Sequence, residues 1–407
     1  MKKSLIKFIS LGLALSLCSA TSFAQESLET ETLTAAPGAS FYTAGWADNA
    51  KIKYSKEKIT VIDDKTYPDP IAKAKALVSA AGSTSAKFIV ISGEVDLSMG
   101  KVTDSDHSYF DEFNSDGSRK HNDFAYPLTS NKTLIGVDGA KIKFGGFVIK
   151  NAKNVIIRNI TFWDAHGSTE VDTKVKSESK ASADALGFEK CDNVWVDHCT
   201  FTDGTCIDLK RNYNHDGQLD VKSGNNITVS YCEFTNHDKV MLIRNGDKLT
   251  NPEECSITLH HNYFHGAIQR MPRSRGVKMH IYNNYYDKIG NSENTGSSLG
   301  PGIGSLYVVE NNFFGEHAGT IVKYYDKSDA KAKTFSKFFH KGNLPELTDK
   351  NCSYDKVDKL KAFKKHVVNE KPFAIPYTYA LEEAATLKDT VPALVGSGKP
   401  IKIEGYN

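Results

Sequence analysis

Three features that would have pointed to particular protein classes are missing from this sequence. No uninterrupted apolar run reaches the roughly 18 to 20 residues that a membrane-spanning helix needs. The charges nearly cancel, at 51 Lys and Arg against 49 Asp and Glu, so no general positive field favours binding to nucleic acid. None of the seven cysteines stands in a Cys-x-x-Cys pair, which disfavours a zinc ribbon or a thioredoxin-type site. What is present is ordinary for a large folded domain: 407 residues, 40% hydrophobic and 25% charged.

The first 24 residues have the pattern of a secretory signal peptide. Lys2, Lys3 and Lys7 form a basic start, Phe8 to Cys18 is apolar, and Ser22-Phe23-Ala24 offers small residues at the cleavage positions. Cleavage after Ala24 would remove three lysines and change the net charge from +2 to −1. We therefore expect a secreted protein. Its remaining six cysteines could pair in 15 ways, a choice that the sequence leaves open; they are Cys191, Cys199, Cys206, Cys232, Cys255 and Cys352.

A nine-residue pattern recurs six times, with apolar residues at its second and fourth positions and an aromatic residue at its ninth. The six units are Asn154 to Phe162, Asn193 to Phe201, Asn226 to Phe234, Ser256 to Phe264, Lys278 to Tyr286 and Ser305 to Phe313. Alternation of this kind is typical of strands, and a spacing near 22 residues that insertions lengthen is typical of a solenoid. We also expect the asparagines at position seven of the later units to bond to one another from coil to coil.

Because no helical pattern separates the units, we predict an all-β fold, a right-handed parallel β-helix of seven or eight coils. A β-sandwich with coincidental turns is the alternative. Residues 25–407 are expected to form one domain. Asp69 and Pro70 start a predicted helix over Ile71 to Ala81, which would cap the first coil. A second short helix is predicted over Ala380 to Lys388, and a surface loop over residues 104–124.

Stacked coils would bring together polar residues that are far apart in the chain. Asp184, Asp220 and Arg270 each precede a unit by six to nine positions, and Lys239 lies in another such connection. Neighbouring coils are about 4.8 Å apart, so residues at one phase of successive coils gather on one flank.

A candidate metal site follows from the carboxylates on this flank. Gly217 allows a turn that would bring Asp216 towards Asp220, and with Asp184 they make a site of hard oxygen ligands suited to calcium. The alternative is a set of ordinary solvated loop carboxylates.

A basic cluster lies one or two coils further on. It contains Arg270, Arg273, Arg275 and Lys278. Such a cluster is often only a solvated face, but beside calcium-binding acids it suits a ligand that carries many carboxylates, because arginine clamps carboxylates by paired hydrogen bonds. An acidic polysaccharide lying along the solenoid is the expected partner, and Arg273 is counted among the residues that bind it.

At this point the sequence resembles the pectate lyase family of calcium-dependent parallel β-helices. The resemblance covers roughly residues 45–345 and also the tail Pro376 to Tyr379. Its motifs are Asp184-Ala185-Leu186, Asn193 to His198 (Asn-Val-Trp-Val-Asp-His), Asp216 to Asp220, His237-Asp238-Lys239 and Arg270 to Arg275. One departure is Ser182, where some relatives have an acidic residue, so the number of calcium ligands is open and Asp172 is a weak further candidate.

The resemblance implies a role for each matching residue. Asp184, Asp216 and Asp220 would hold Ca²⁺. Lys239 and Arg275 would bind substrate carboxylates. Arg270 would take the proton from C5 of a galacturonate unit. His198 is expected to be structural.

The implied reaction is β-elimination on polygalacturonate by a monomeric enzyme without nucleic-acid or membrane partners. A guanidinium normally keeps its proton to beyond pH 12, and neighbouring cations oppose its charged form, so we expect an alkaline optimum. Alternatives are a pectin lyase, a glycoside hydrolase on the same fold, which would need a pair of catalytic carboxylates, and a non-catalytic carbohydrate-binding β-helix.

Overall fold

The computed structural model describes residues 33–38, 42–49, 52–104, 112–113, 119–120, 124–165, 184–204, 215–246, 248–292, 294–325, 335–354 and 359–406. The predicted signal peptide, Cys206, Asp172 and most of the predicted loop at 104–124 lie outside these ranges. No helix within them is long and apolar enough to cross a membrane.

Short strands account for most of the described secondary structure. In chain order they are β1 (Leu33–Ala35), β2 (Ile59–Ile62), β3 (Lys87–Asp96), β4 (Glu112–Phe113), β5 (Arg119–Lys120), β6 (Ala125–Pro127), β7 (Lys132–Lys143), β8 (Gly146–Lys150), β9 (Lys153–Arg158), β10 (Thr161–Trp163), β11 (Leu186–Asp197), β12 (Thr200–Thr202), β13 (Leu219–Ser230), β14 (Glu233–Lys239), β15 (Leu242–Ile243), β16 (Cys255–His260), β17 (Tyr263–Gln269), β18 (Arg273–Ser274), β19 (Lys278–Tyr282), β20 (Tyr285–Asp287), β21 (Ser297–Leu299), β22 (Leu306–Glu310), β23 (Phe313–Phe314), β24 (Thr320–Tyr324), β25 (Lys337–Lys341), β26 (Cys352–Tyr354) and β27 (Ile401–Ile403). The helices are α1 (Trp46–Asn49), α2 (Pro70–Gly82), α3 (Lys359–His366) and α4 (Leu387–Leu394), with short 3₁₀ turns at Pro252–Glu254, Asp349–Asn351 and Ala384–Thr386.

The strands stack in parallel into three faces, which confirms the parallel β-helix. The first face runs through β6, β8, the start of β11, the start of β13, β15 and β18. The second face is a ladder of ten parallel strands within the described residues: β2, β3, β7, β9, β11, β13, β16, β19, β22 and β25. The third face runs from the end of β7 through β10, β12, β14, β17, β20 and β23. The prediction of seven or eight coils was too low, because the coils before β9 do not carry the nine-residue pattern.

The six repeat units coincide with the turn from the second face to the third, and five of them stack in the predicted register. Val194 pairs with Val155 and with Ile227, for example, and all three are buried in the core. The sixth unit was predicted one residue too early. Tyr286 stacks on Phe314, not Phe313, and Ile281 pairs with Val309, not Val308. Because side chains alternate along a strand, this single-residue shift moves Val308 from the core side to the other side of β22.

Two inward columns hold the coils together. Phe162, Phe201, Phe234, Phe264, Tyr286 and Phe314 stack with ring centroids 4.8 to 5.0 Å apart. Beside them, the side-chain amides of Asn262, Asn284 and Asn312 each donate to the next asparagine in the column at 2.9 Å, and the column ends at Asn343. The predicted asparagine ladder is therefore present, with Asn312 in the place predicted for Asn311. Earlier in this column, Cys199 and Cys232 are stacked as free thiols, with the Cys199 N–H 3.5 Å from the Cys232 sulfur.

Helices and terminal segments cover the solenoid. The predicted first helix is α2, whose N-cap Asp69 accepts from the N–H groups of Ile71 and Ala72, and its buried Leu77 joins the main core. The second predicted helix was placed too early. Residues 380–383 have no regular secondary structure, the 3₁₀ turn begins at Ala384, and α4 then packs Leu387 and Val391 on Tyr285 of the third face. Helix α3 was not predicted.

Candidate active site

Backbone hydrogen bonds place the predicted site residues on adjacent coils, where the third face turns into the first. The N–H of Leu186 donates to the carbonyl of Gln218, and that of Gln218 donates to Val240. The N–H of Val240 donates to Gln269, and that of Met241 donates to Arg270. Four consecutive coils therefore carry, side by side, Asp184, the segment 216–220, Lys239 and Arg270. The geometric prediction that these residues share one flank is correct.

The carboxylates of Asp184 and Asp220 converge over Gly217. Asp184 Oδ1 accepts from the Gly217 N–H at 2.9 Å, and Asp220 Oδ1 accepts from the Leu242 N–H, one coil away, at 2.8 Å. A Cβ added to Gly217 would lie 2.6 Å from Asp220 Oδ1 and 2.8 Å from Asp184 Oδ1. Only glycine lets both carboxylates come this close to the backbone at position 217. The sequence had suggested Gly217 only for a turn.

The two carboxyl groups repel each other in a partly dehydrated setting. Burial, followed by the charges of Asp220 and Asp216, raises the pKa of Asp184 well above its usual range. Burial also raises the pKa of Asp220 to about 7, with a contribution from Asp216, against the opposing effects of the Leu242 N–H, Arg270 and His237. Both shifts mean that the cluster lacks enough positive charge to keep its carboxylates ionised easily.

This arrangement fits a divalent cation in charge and in ligand type. Oxygen ligands from several carboxylates are what calcium takes, and a cation between Asp184 and Asp220 would relieve their repulsion. Within the described ranges, no three His, Cys, Asp or Glu side chains form by themselves a group that could hold a metal ion. Calcium takes six to eight oxygens, so the Asp184–Asp220 pair would be completed by Asp216 and by oxygens from outside these three side chains.

Arg270 and Lys239 border the carboxylate pair. Arg270 is half-buried and close enough for its charge to lower the pKa of Asp220. Its Nε is buried with no hydrogen-bond partner among the described residues, so this nitrogen keeps a free N–H. Lys239 is also half-buried and pairs in the β-ladder with Gln269, the residue before Arg270.

Arg273 and Arg275 follow on the same coil and differ in their surroundings. Arg273 is half-buried, and its guanidinium makes a cation–π contact with Tyr325, 3.9 Å from the ring centroid. Arg275 is 9% exposed, and its Nη1 donates to the main-chain carbonyl of Arg244 at 3.3 Å. Of the two, Arg273 is the more open to a ligand.

Sequence reasoning missed a buried chain of acids and histidines behind the site. It consists of Asp164, His215, Asp203 and His237, each no more than 3% exposed. The chain ends at the main-chain carbonyl of Asp216, to which His237 Nε2 is hydrogen bonded at 3.0 Å. The His237-Asp238-Lys239 motif was a signal for it, but only for one of its members.

His198 lies elsewhere, on the second face. Its Nδ1 is 2.6 Å from Asp197 Oδ2, and its ring stacks on Tyr231 with centroids 4.9 Å apart. Arg158 donates to the same carboxylate. This ion-paired cluster is buried in the second face and does not contact the carboxylate pair.

The chain resembles known proteins over most of its length. A family model described as pectate lyase matches residues 14–400. A pectate trisaccharide-lyase of Thermotoga maritima is 43% identical over 164 residues, which are 39% of this chain and 40% of that protein. Pectate lyase E of Dickeya chrysanthemi is 30% identical over 363 residues, 84% of this chain and 83% of that protein.

The fold has matches among solved structures as well. A thermostable pectate lyase superposes with a TM-score of 0.66 at 25% identity, covering 88% of this chain and 97% of the other. By its sequence over nearly its whole length and by its fold, the chain belongs to the pectate lyase family.

Proposed function

We propose that the protein, a polysaccharide lyase by family, is a secreted pectate lyase that cleaves de-esterified polygalacturonate by calcium-assisted β-elimination. The observation that carries the proposal is the convergence of the Asp184 and Asp220 carboxylates beside Arg270 on one face of the β-helix. Glycoside hydrolysis needs one carboxyl group as acid and another as base or nucleophile, but an arginine beside a carboxylate pair suits the removal of a carbon-bound proton from an anionic substrate.

Calcium, when bound by Asp184, Asp216 and Asp220, would draw electron density from the substrate carboxylate and make the neighbouring C5–H more acidic. The basic side chains of the protein would bind and orient the polymer. Lys239, at the end of β14, and Arg273, on the first face, would bind uronate carboxylates, and the buried Arg275 would pack beneath them. The bound polymer would be oriented with C5 towards Arg270.

Arg270 would accept the C5 proton on its guanidine group. The electron pair of the C5–H bond then forms the C4–C5 double bond, and the C4–O4 bond breaks. The sugar attached through O4 leaves with the electron pair of the C4–O4 bond and takes up a proton, and the other fragment has a 4,5-unsaturated end. Because the base must be neutral, activity should peak at alkaline pH, and a maximum near pH 5 would contradict the assignment.

The proposal is tested by incubating the protein with polygalacturonate, in calcium or in chelator, and by following the ultraviolet absorbance of the unsaturated product. Absorbance that calcium supports and chelator removes is the expected result. Saturated reducing ends would show a hydrolase, a preference for methyl-esterified polymer without calcium would show a pectin lyase, and no turnover would show a carbohydrate-binding protein.

The role of Arg270 has its own test. Arg270→Lys keeps the positive charge but changes the position and the proton affinity of the base, and we expect it to reduce kcat by at least about a hundredfold. Turnover close to that of the wild type would exclude Arg270 as the base. Lys278→Arg is a matched control, because Lys278 is ion-paired with Glu253 at the start of β19, on the second face.

Secretion is the remaining part of the proposal. The Lys-rich start, the apolar stretch and the small residues before Gln25 support cleavage after Ala24. N-terminal sequencing of protein recovered from the culture medium should begin at Gln25. An intact Met1 in the medium, or protein found only inside the cells, would contradict it.

A further inference from the structure

The buried acid–histidine chain behind the site runs through side-chain contacts across three successive coils, those of β10, β12 and β14. Asp164 Oδ1 lies 2.6 Å from His215 Nε2, and His215 Nδ1 lies 3.4 Å from Asp203 Oδ2. His237 Nδ1 then lies 2.8 Å and 2.9 Å from the two oxygens of Asp203. Four ionisable side chains with almost no exposure are costly to bury, and they are tolerated because each faces a partner of opposite character.

Both ring nitrogens of His237 face atoms that can only accept a hydrogen bond. One faces the Asp203 carboxylate, and the other faces the main-chain carbonyl of Asp216 at 3.0 Å. Contacts on both nitrogens fix the orientation of the ring from two sides.

The peptide group that His237 contacts is the one on which the carboxylate pair is built. The carbonyl of Asp216 accepts from His237, and the N–H on the other side of the same peptide bond, that of Gly217, donates to Asp184 Oδ1 at 2.9 Å. This peptide plane is thus held at both ends. Its orientation decides where Asp184 Oδ1 lies and how closely Gly217 passes beneath Asp220.

We propose that His237 is a positioning residue for the cation site: its hydrogen bond to the Asp216 carbonyl sets the peptide plane that aligns Asp184 and Asp220, and Asp203 holds its ring in place. The inference rests on the proposed calcium site, and it assigns to His237 a role in cation affinity, not in contact with the sugar. Groups that orient metal ligands from behind typically change metal affinity by about ten- to a hundredfold when they are removed.

The test is calcium titration calorimetry on the full-length protein after removal of metal by chelator. His237→Ala should weaken the calcium Kd by at least about tenfold. His237→Gln keeps an N–H group at the reach of Nε2 and should retain most of the affinity. Asp203→Asn removes the charge that holds the ring and should fall between the two.

The matched control is His265→Gln on the neighbouring coil. His265 is also a histidine of the third face, ion-paired with Glu233 at 2.9 Å, but it contacts no residue of the peptide plane at 216–217 in the described hydrogen bonds. Its substitution should leave the calcium Kd unchanged. Melting temperatures of all variants without calcium report whether each still folds.

The outcomes separate this inference from the proposed function. Wild-type protein that binds no calcium would overturn both. A wild-type Kd in His237→Ala, or an equal loss in His237→Gln and His237→Ala, would overturn the positioning role and leave the calcium site standing.

Discussion

At the scale of single residues, the candidate calcium site should be sensitive to any side chain added at Gly217. A methyl group at this position would lie within 2.6 Å and 2.8 Å of an oxygen of Asp220 and of Asp184, closer than such contacts are found. We expect Gly217→Ala to push the carboxylates apart, to weaken calcium binding by at least about tenfold and to reduce activity at limiting calcium. Calorimetry and the absorbance assay measure these two effects.

Gly187 offers a matched control for that substitution. It pairs with Asp220 on the adjacent coil, yet a Cβ there would meet Asp184 Oδ2 at an ordinary 3.6 Å. Gly187→Ala should bind calcium as the wild type does. Equal effects of the two substitutions would mean that close packing over Gly217 does not set the affinity.

The titration of Asp220 gives a second prediction at this scale. Burial and the charge of Asp216 raise its pKa to about 7 in the calcium-free fold, against about 3.9 in an unfolded chain. The folded state thus prefers the protonated carboxyl, so the free energy of unfolding should fall as the pH rises from about 4 to about 7. We expect a loss on the order of 2 kcal/mol, below the full value of the shift because Asp220 is half-buried and solvent screens it.

Urea unfolding of chelated protein at pH 5 and pH 8 measures that loss. Asp220→Asn cannot ionise and should show a smaller decline, and saturating calcium should abolish the decline in the wild type. A decline of the same size in Asp220→Asn would show that other groups cause it.

The residues of the site differ in how far sequence could locate them. Asp184, Asp220 and Arg270 were found because each lies six to nine positions before a repeat unit, so similar phases bring them together. The pairing of His237 with Asp203 could not be found in this way, because it depends on side-chain directions in β14 and in the connection after β12. The contact of Arg275 with a carbonyl was unpredictable for the same reason.

At the scale of the elements, the repeat predicted the strands well where the inward residues are distinctive. Position nine is aromatic in every unit, but β23 contains two consecutive aromatic residues, Phe313 and Phe314, and two consecutive asparagines precede it. Either phase fits the pattern there, so sequence could not decide between them. Helix α4 was misplaced because Ala380 to Glu383 favour a helix locally, while Asn283 and Asn311 bind the carbonyls of Ala380 and Glu382 that a helix would use.

The correct phase of β22 and β23 can be tested through the asparagine ladder. Asn312 is fully buried and joins Asn284 and Asn343, so Asn312→Ala would leave several buried polar groups without partners. We expect it to lower the free energy of unfolding by about 3 kcal/mol. Asn311 has a φ of 47° and a bond to the Glu382 carbonyl, so Asn311→Gly should cost less than about 1 kcal/mol.

Urea denaturation of the two variants decides the matter. A larger loss of unfolding free energy in Asn311→Gly than in Asn312→Ala would support the register that the sequence pattern predicted, with Asn311 in the ladder.

At the scale of the whole molecule, the solenoid allows the residues that cover the coils and the residues of the candidate site to lie on different faces. Each coil contacts only its neighbours, so residues from four coils can meet on the first face while the third face is covered independently. That cover is α4, which packs Leu387 and Val391 against Tyr285. The carboxylate pair, by contrast, depends on the connections at 184, at 216–220 and at 270.

This separation predicts that a substitution in α4 will lower the free energy of unfolding without weakening calcium binding. Leu387 is fully buried, and Leu387→Ala should cost about 3 kcal/mol of unfolding free energy through the cavity it leaves. The calcium Kd and the kcat/KM at 25 °C should stay within about twofold of the wild type, since no coil that bears the carboxylates loses a contact. Leu381→Ala, at a leucine that is 41% exposed, is the control and should change neither quantity. If Leu387→Ala weakened calcium binding in proportion to its loss of stability, the faces would be coupled through the whole coil, and the site could not be treated as a property of the first face alone.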